Sequence, residues 1–165
     1  MLLAGFTPKT GCVLICDFSR GFVPPEMVKT RPVVVISRTE CHGRRLCTVV
    51  PLSTTSPDPV LVWHVLLKQN PLPGTLAGTA VWAKCDMLYT VSFDRLDKPH
   101  RKTEGKREYL TLKLSAADLA AVFDGVRAYL PSPRRALDAD LVDDGIDHFT
   151  QSQASQQDIT IPPWA

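Results

Sequence analysis

The sequence predicts a mainly β fold, a small barrel of short strands followed by one C-terminal amphipathic helix. Between residues 11 and 93, short runs rich in β-branched and aromatic residues alternate with Gly, Pro, Ser and Thr, which is typical of closely spaced strands. From Ser115 onward, apolar residues recur at helical spacing instead. The 165 residues, 44% apolar and 22% charged, fit one globular domain plus an appendage.

The barrel is predicted to contain five or six strands in the first part of the chain, five of which are clear runs. Each run is bounded by turn-forming residues. We expect the second and third runs to form a hairpin. The connection between those two contains His42 and Gly43, and we expect Gly43 to supply the positive φ of a tight turn. The five runs are residues 12–18, 32–38, 46–53, 60–67 and 80–87.

The helix is predicted to begin after Ser115, a good N-cap residue with Asp118 three positions later. Its apolar stripe should pack against the barrel, and Pro131 should end it because proline cannot continue a helical ladder. We therefore expect a domain over residues 1–131 and an acidic, flexible tail over residues 132–165. The residues of the stripe are 119, 122, 123, 126 and 130.

The net charge of +2 conceals an asymmetry between the two parts of the chain. Residues 1–131 hold 17 Lys and Arg against 11 Asp and Glu, an excess of +6, whereas residues 132–165 carry −4. A basic body favours a polyanionic partner, although an excess of this size is also common on ordinary surfaces. The tail is either solvated and without function, or it lies across a basic groove and imitates RNA or a partner's acidic segment.

Several function classes are excluded by composition. No apolar stretch approaches the length of a membrane span, and the N-terminus lacks the pattern of a signal peptide, so we expect a cytoplasmic protein without membrane contact. The five cysteines are odd in number and include no CxxC pair. Reduced thiols, most of them buried, are therefore expected. The sequence predicts no metal site and no cofactor.

Residues at the ends of predicted strands are the candidates for chemistry. Arg31 precedes an apolar run, and Pro32 keeps it extended, so its guanidinium either holds a phosphate or is an ordinary surface group. Ser53, with Thr54 and Thr55 behind it, offers hydroxyl donors or simply caps a turn. Both alternatives remain open from the residues alone.

A second group of candidates lies later in the chain. On a strand, Lys84 and Asp86 point to one face and Cys85 to the other, an arrangement that suits proton transfer or an ordinary ion pair. His100 lies in a basic loop, residues 97–108, which is either solvated surface or a contact to a nucleic-acid backbone. His64, within an apolar run, is interpreted as a packed or strand-edge residue.

Four sequence blocks resemble the PemK/MazF (Kid-like) toxins of bacterial type II toxin–antitoxin systems over about residues 10–130. The resemblance implies an SH3-like barrel of the CcdB/PemK type, usually a homodimer, that cleaves single-stranded RNA without a metal or other cofactor and leaves a 2′,3′-cyclic phosphate. It also implies a cognate antitoxin as partner, with DNA contacted only through the toxin–antitoxin complex. The blocks are GCVLICDF (11–18), Glu26 to Pro32 running into VVVIS, VVPLSTT (49–55), and WAKCD (82–86) followed by LYTVSFDRL.

The resemblance also assigns roles to residues. Arg31 maps onto the family's phosphate-neutralising or proton-donating arginine, Ser53 onto its strand-end hydroxyl, and Lys84 and Asp86 onto an Arg-Cys-Asp triplet in which Asp86 is the candidate base. The chain departs from the pattern at Lys84 for arginine, Ser53 for threonine and Pro25 for histidine. The residues expected to bind RNA are Glu26, Thr30, Thr54, Thr55 and His100.

Two other functions remain compatible with such a sequence. A barrel of this kind can serve as a non-catalytic binding module that inhibits a protein target such as DNA gyrase, as CcdB toxins do. It can also be a plain structural or regulatory domain. Cleavage of RNA is favoured because an arginine, a hydroxyl and a Lys/Asp pair are all present at matching positions.

Overall fold

The computed structural model describes residues 5–103 and 106–131. Within these residues the chain forms ten strands and a single α-helix, so the predicted mainly β fold with a C-terminal helix is confirmed. The elements are β1 (Cys12–Cys16), β2 (Arg31–Val35), β3 (Leu46–Ser53), β4 (His64–Leu66), β5 (Trp82–Lys84), β6 (Tyr89–Ser92), β7 (Leu96–Asp97), β8 (His100–Thr103), β9 (Lys106–Tyr109), β10 (Leu112–Lys113) and α1 (Ala116–Tyr129).

Eight of the described strands form one antiparallel sheet in the order β10-β1-β2-β3-β5-β4, with β7 paired to β1 and β6 paired to β3. The predicted hairpin of the second and third strands is present as the β2–β3 pair. β8 and β9 form a separate two-stranded hairpin. Because β5 and β6 both pair with β3, the long central strand organises the end of the sheet that carries the candidate residues.

The two faces of the sheet cover two clusters of buried side chains, which follow the alternation of an extended chain. The first core includes Val33 of β2 and Val49 of β3, and is completed by the residues that follow β1 and β6. The second core includes Val34, Val50 and Ala83, and lies between the sheet and α1. A side chain's position along β2, β3 or β5 therefore determines which core it faces.

The helix begins where the sequence predicts. The Ser115 hydroxyl oxygen accepts a hydrogen bond from the Asp118 backbone N–H at 3.1 Å, which satisfies one of the free donors at the helix start. Asp118 is buried, and its carboxylate accepts hydrogen bonds from the backbone N–H groups of Lys68 and Gln69 at 2.7 and 3.3 Å. This carboxylate therefore ties α1 to the segment that follows β4. Leu119, Val122 and Val126 pack in the second core.

Three local predictions are wrong. The run 60–67 contributes only the short strand β4, because its first residues form an exposed turn in which Val62 is 79% exposed. The basic segment 97–108 is largely the hairpin of β8 and β9 instead of a loop. In the β2–β3 connection the positive φ belongs to Arg45, at 55°, and not to Gly43.

Two further predictions concern the acidic tail and membrane-spanning segments. The acidic tail over residues 132–165 lies outside the described residues, so its flexibility and its masking role stay predictions. Among residues 5–103 and 106–131, no helix combines the length and apolar content that spanning a bilayer requires.

Replacing Gly125 with alanine is expected to destabilise the domain. A Cβ at Gly125 would lie 2.8 Å from the Cys85 Sγ and from a Val65 methyl, and 3.3 Å from the Trp63 carbonyl oxygen. The gain in helix propensity, about 1 kcal/mol, is smaller than the cost of overpacking, about 1–3 kcal/mol. We expect Gly125→Ala to lower the midpoint of urea unfolding through overpacking. Ala120→Gly, on the exposed face of α1, should lower it only through the loss of helix propensity. A higher midpoint for Gly125→Ala would contradict this close packing.

Candidate active site

Arg31 and Ser53 lie at the same end of the sheet. β2 and β3 pair with Val33 opposite Pro51, and the same register counted two residues further sets Arg31 opposite Ser53. Since both residues are two positions from this pair, they share the face of the first core. The strand register thus brings together a guanidinium and a hydroxyl that are distant in sequence.

The Arg31 side chain is partly buried, and its Nε has no hydrogen-bond acceptor among the described residues. Arg31 begins β2 opposite Cys16 of β1, and its Nε is enclosed without a hydrogen-bond acceptor. Within the part of the chain that the structure describes, no carboxylate forms an ion pair with it. A buried donor without an acceptor costs about 1–3 kcal/mol, a cost that a bound anion would remove. The guanidinium can therefore donate hydrogen bonds to a bound anion.

Ser53 ends β3 and is only 7% exposed. Its Oγ accepts a hydrogen bond from the Thr55 backbone N–H at 3.1 Å. Ser53 therefore caps the turn after β3, which is one of the two roles that the sequence left open. Accepting this bond leaves the hydroxyl hydrogen available for donation to a second group. Thr54 and Thr55 follow as exposed residues on the same loop.

Lys84 is the last residue of β5 and lies diagonally across from Ser53. Ser53 pairs with Trp82, so Lys84 is two residues further along the neighbouring strand, with a Cα separation of about 7–8 Å from Ser53. Lys84 is itself the direct cross-strand partner of His64 in β4. Its side chain points to the same face as those of Ser53 and Arg31.

Asp86 is not on the strand, which corrects the expectation that it alternates with Lys84 along β5. β5 ends at Lys84, and Asp86 lies in the turn that joins β5 to β6. If the β5 register continued, Asp86 would pair with Val49, but Val49 pairs with Tyr89. The β5–β6 connection therefore contains three more residues than a continuous strand would, and these bulge out beside β3. Bulges commonly redirect a side chain beside an active site. The bulge, and not strand alternation, aims the Asp86 carboxylate.

Asp86 contacts a histidine that the sequence analysis did not count as functional. His64 Nε2 lies 3.4 Å from Asp86 Oδ2, and its side chain is 7% exposed against 30% for Asp86. The other carboxylate oxygen, Oδ1, is buried without a partner. The interpretation of His64 as a packed strand residue describes its burial but not this contact, which depends on the β4–β5 register and has no signal in the local sequence.

Cys85, between the two candidates, faces away from them. It is fully buried in the second core against α1, and its Sγ lies 3.6 Å from the Val122 carbonyl oxygen. Burial raises the pKa of the Cys85 thiol to about 12. The thiol is therefore protonated at neutral pH and is neither a nucleophile nor a base for a bound substrate.

The remaining predicted residues are spread over other surfaces. Thr30 and His100 line one cavity of about 330 Å³, together with Ile15, which faces away from the first core. Glu26 lies in the exposed β1–β2 connection, where its carboxylate accepts a hydrogen bond from the Val23 N–H at 2.8 Å. The structure thus sets Arg31, Ser53 and Lys84 on one face around the end of β3, with Asp86 two residues beyond Lys84 and with Thr54 and Thr55 after Ser53. Thr30 precedes Arg31 but lines the cavity with His100, and Glu26 lies in the β1–β2 connection.

The donor set of this site suits an anion better than a metal. Within residues 5–103 and 106–131, no three His, Cys, Asp or Glu side chains are grouped as metal ligands. The four candidates instead provide a guanidinium, an ammonium, a hydroxyl and a single carboxylate. Three hydrogen-bond donors and one acceptor are the groups that a phosphodiester with a neighbouring hydroxyl would engage.

Comparisons with known proteins agree with this architecture. The chain is similar to the crystal structure of MazF (Form-I) from Deinococcus radiodurans, with a TM-score of 0.53 and 19% identity over 74% of this chain and 96% of that chain. It is also similar to a mycobacterial endoribonuclease solved in complex with its cognate antitoxin, with a TM-score of 0.51 and 21% identity over 76% and 99% of the two chains. At these identities the likeness establishes the fold.

Comparison of sequences finds both a relative and a matching family. The uncharacterised protein YifN of Escherichia coli strain K12 is 31% identical over 142 residues, with 74% of this chain and 94% of YifN covered. Residues 9–129 match the family described as the PemK-like, MazF-like toxin of type II toxin–antitoxin systems. This match includes Arg31, Ser53, Lys84 and Asp86. The chain therefore belongs to the PemK-like, MazF-like family of type II toxin–antitoxin system toxins.

Proposed function

We propose that this protein is an endoribonuclease toxin that cleaves single-stranded RNA without a metal. The ribose 2′-hydroxyl attacks the adjacent phosphate, which forms the O2′–P bond and breaks the P–O5′ bond. The products are a 2′,3′-cyclic phosphate and a free 5′-hydroxyl. The observation that supports this proposal is the strand register, which sets the Arg31 guanidinium and the Lys84 ammonium on the same face as the Ser53 hydroxyl. The Asp86 carboxylate lies in the turn that follows Lys84, and the Arg31 Nε has no acceptor among the described residues.

Each of the four side chains has a role that matches its chemistry. Asp86 accepts the proton of the attacking 2′-hydroxyl. Arg31 holds two phosphate oxygens and stabilises the charge that develops on them, while the Ser53 hydroxyl donates to the same phosphate. Lys84 supplies the proton to the departing 5′-oxygen, since an ammonium can give up a proton whereas a guanidinium remains protonated.

The proposed partners follow from the family. A cognate antitoxin is expected to cover the residues that bind RNA, because the mycobacterial structural neighbour was solved in complex with its cognate antitoxin. The toxin itself is proposed to be a homodimer that contacts DNA only within the toxin–antitoxin complex. The positive excess of residues 1–131, +6, suits both the polyanionic substrate and an acidic antitoxin segment.

The function is tested by incubating the purified full chain with a long single-stranded RNA of mixed sequence in excess EDTA. We expect discrete cleavage products whose 3′ ends resist ligation until the cyclic phosphate is opened and removed. RNA with 2′-O-methyl groups throughout should remain intact because it has no 2′-hydroxyl to attack. Intact RNA in every condition, together with growth arrest on expression and inhibition of gyrase, would instead support the non-catalytic binding function.

Ser53→Ala is expected to reduce kcat/KM for RNA cleavage by roughly 10-fold, because the phosphate loses one hydrogen bond of about 1–1.5 kcal/mol. Ser53→Thr keeps a hydroxyl at the same position and should retain most of the activity. Both variants should fold, since the Thr55 N–H that Ser53 accepts is near solvent and can bond to water. Equal kcat/KM for Ser53→Ala and wild type would leave Ser53 with only its turn-capping role.

A further inference from the structure

His64 is placed to act on the candidate site without touching RNA. Both of its ring nitrogens are engaged within the protein, Nδ1 by the Leu61 N–H and Nε2 by Asp86. The Asp86 side chain is 30% exposed, so the carboxylate and not the imidazole is the group open to a bound RNA strand. The charged groups described around the imidazole are Asp86, at 3.4 Å from Nε2, and Lys84, its cross-strand partner. Any effect of His64 on a reaction is therefore transmitted through a neighbouring side chain.

The hydrogen bonds of His64 assign its tautomer. The Leu61 backbone N–H donates to Nδ1 at 3.1 Å, so Nδ1 carries the lone pair in the neutral ring and Nε2 carries the hydrogen. This Nε2–H is directed to Asp86 Oδ2. In this tautomer His64 is a hydrogen-bond donor and cannot itself take a proton at Nε2.

The unpartnered oxygen of Asp86 indicates that its orientation is imposed. Oδ1 is buried without a hydrogen bond, so the exposed part of the Asp86 side chain does not include Oδ1. A free carboxylate would turn to give both oxygens partners. The His64 contact instead holds Oδ2 through one lone pair, and its second lone pair can accept from another donor.

We propose that His64 is the positioning residue of this active site: anchored by the Leu61 N–H, it holds Asp86 in the orientation that accepts the 2′-hydroxyl proton. This inference rests on the proposed ribonuclease function and adds a residue to the four that the proposed reaction uses. It predicts that the donor at the Nε2 position matters for kcat, and that the acceptor at the Nδ1 position matters for folding.

A matched pair of substitutions separates the two halves of the imidazole. Glutamine extends as far as Nε2, so His64→Gln keeps a donor to Asp86 and loses the acceptor for Leu61. Asparagine is shorter, so His64→Asn keeps an acceptor for the Leu61 N–H and loses the donor to Asp86. Both are measured on an oligonucleotide that carries one cut site mapped with the wild-type protein, with thermal unfolding followed by circular dichroism.

We expect His64→Asn to lower kcat by roughly 10- to 100-fold with little change in KM, as misplacement of a catalytic group does, and His64→Gln to stay within about 3-fold of wild type. In an Asp86→Asn background the two His64 substitutions should give the same residual rate, because no carboxylate remains to be positioned. A greater loss of kcat in His64→Gln than in His64→Asn, or the same ratio in both backgrounds, would show a packing role only.

A spectroscopic measurement tests the contact even if a variant fails to fold. Nitrogen NMR of the wild-type imidazole should show the hydrogen on Nε2, and a hydrogen on Nδ1 would overturn the proposal. If wild-type protein cuts no RNA, the proposed function fails and the positioning role fails with it. If wild-type protein cuts RNA and the two His64 variants are equally active, only the positioning role fails.

Discussion

Arg31→Ala should lower kcat/KM for RNA cleavage by about 10²–10³-fold, the effect of removing one donor that stabilises transition-state charge. Arg31 is expected to make two parallel bonds to phosphate oxygens, and an alanine leaves the developing charge without them. Arg31→Lys keeps the positive charge but loses the planar fork, so an intermediate loss is expected. The measurement is the initial rate on a single-site oligonucleotide, compared with Arg44→Ala, an exposed arginine in the connection at the other end of β2.

The stability of Arg31→Ala distinguishes a functional loss from a folding defect. Because the Arg31 Nε is buried without an acceptor in the free protein, removing it should leave the unfolding midpoint unchanged or raise it. A lower midpoint in proportion to the lost activity would assign Arg31 a structural role. Full cleavage activity in Arg31→Ala would remove the residue from the mechanism.

Asp86→Asn should lower kcat by about 10²–10⁴-fold, the contribution expected of a positioned general base. The amide keeps nearly the same shape but cannot accept a proton from the 2′-hydroxyl. The substitution also removes a negative charge beside a phosphate, so binding of an RNA with a 2′-deoxy nucleotide at the cut site should be unchanged or tighter. Single-turnover cleavage and binding to this uncleavable RNA measure the two effects separately.

Asp124→Asn is the matched control for Asp86. Asp124 is an exposed carboxylate on α1 that pairs with Arg127, so neutralising it changes the net charge equally without touching the site. Cleavage by Asp124→Asn should match wild type at the same ionic strength. Weaker RNA binding by Asp86→Asn, with an unchanged rate of the chemical step, would show that Asp86 organises the site without acting as a base.

The parts of the fold that were predictable have strong local signals. β3 covers the predicted run 46–53 residue for residue, because its apolar and β-branched residues lie on two buried faces. The N-cap Ser115 fixes the start of α1 through one side-chain bond. The run 60–67 has equally apolar residues, but Val60 and Val62 are exposed ahead of β4, which composition alone does not reveal.

The candidate site was predictable only in part, because its geometry depends on pairing between distant strands. Arg31 and Ser53 were found from strand-end chemistry, and the β2–β3 register places them opposite each other. The placement of Asp86 depends on three extra residues in the β5–β6 connection. Its contact with His64 depends on the β4–β5 register. Neither depends on a local pattern, so each became visible only in three dimensions.

The most direct test is a crystal structure of the protein with a single-stranded RNA that has a 2′-deoxy nucleotide at its mapped cut site. The account predicts the scissile phosphate within about 2.7–3.2 Å of the Arg31 guanidinium and the Ser53 hydroxyl. It also predicts the Asp86 carboxylate facing the ribose C2′. A scissile phosphate bound in the cavity of Thr30 and His100, with Arg31 beyond hydrogen-bond distance, would contradict it.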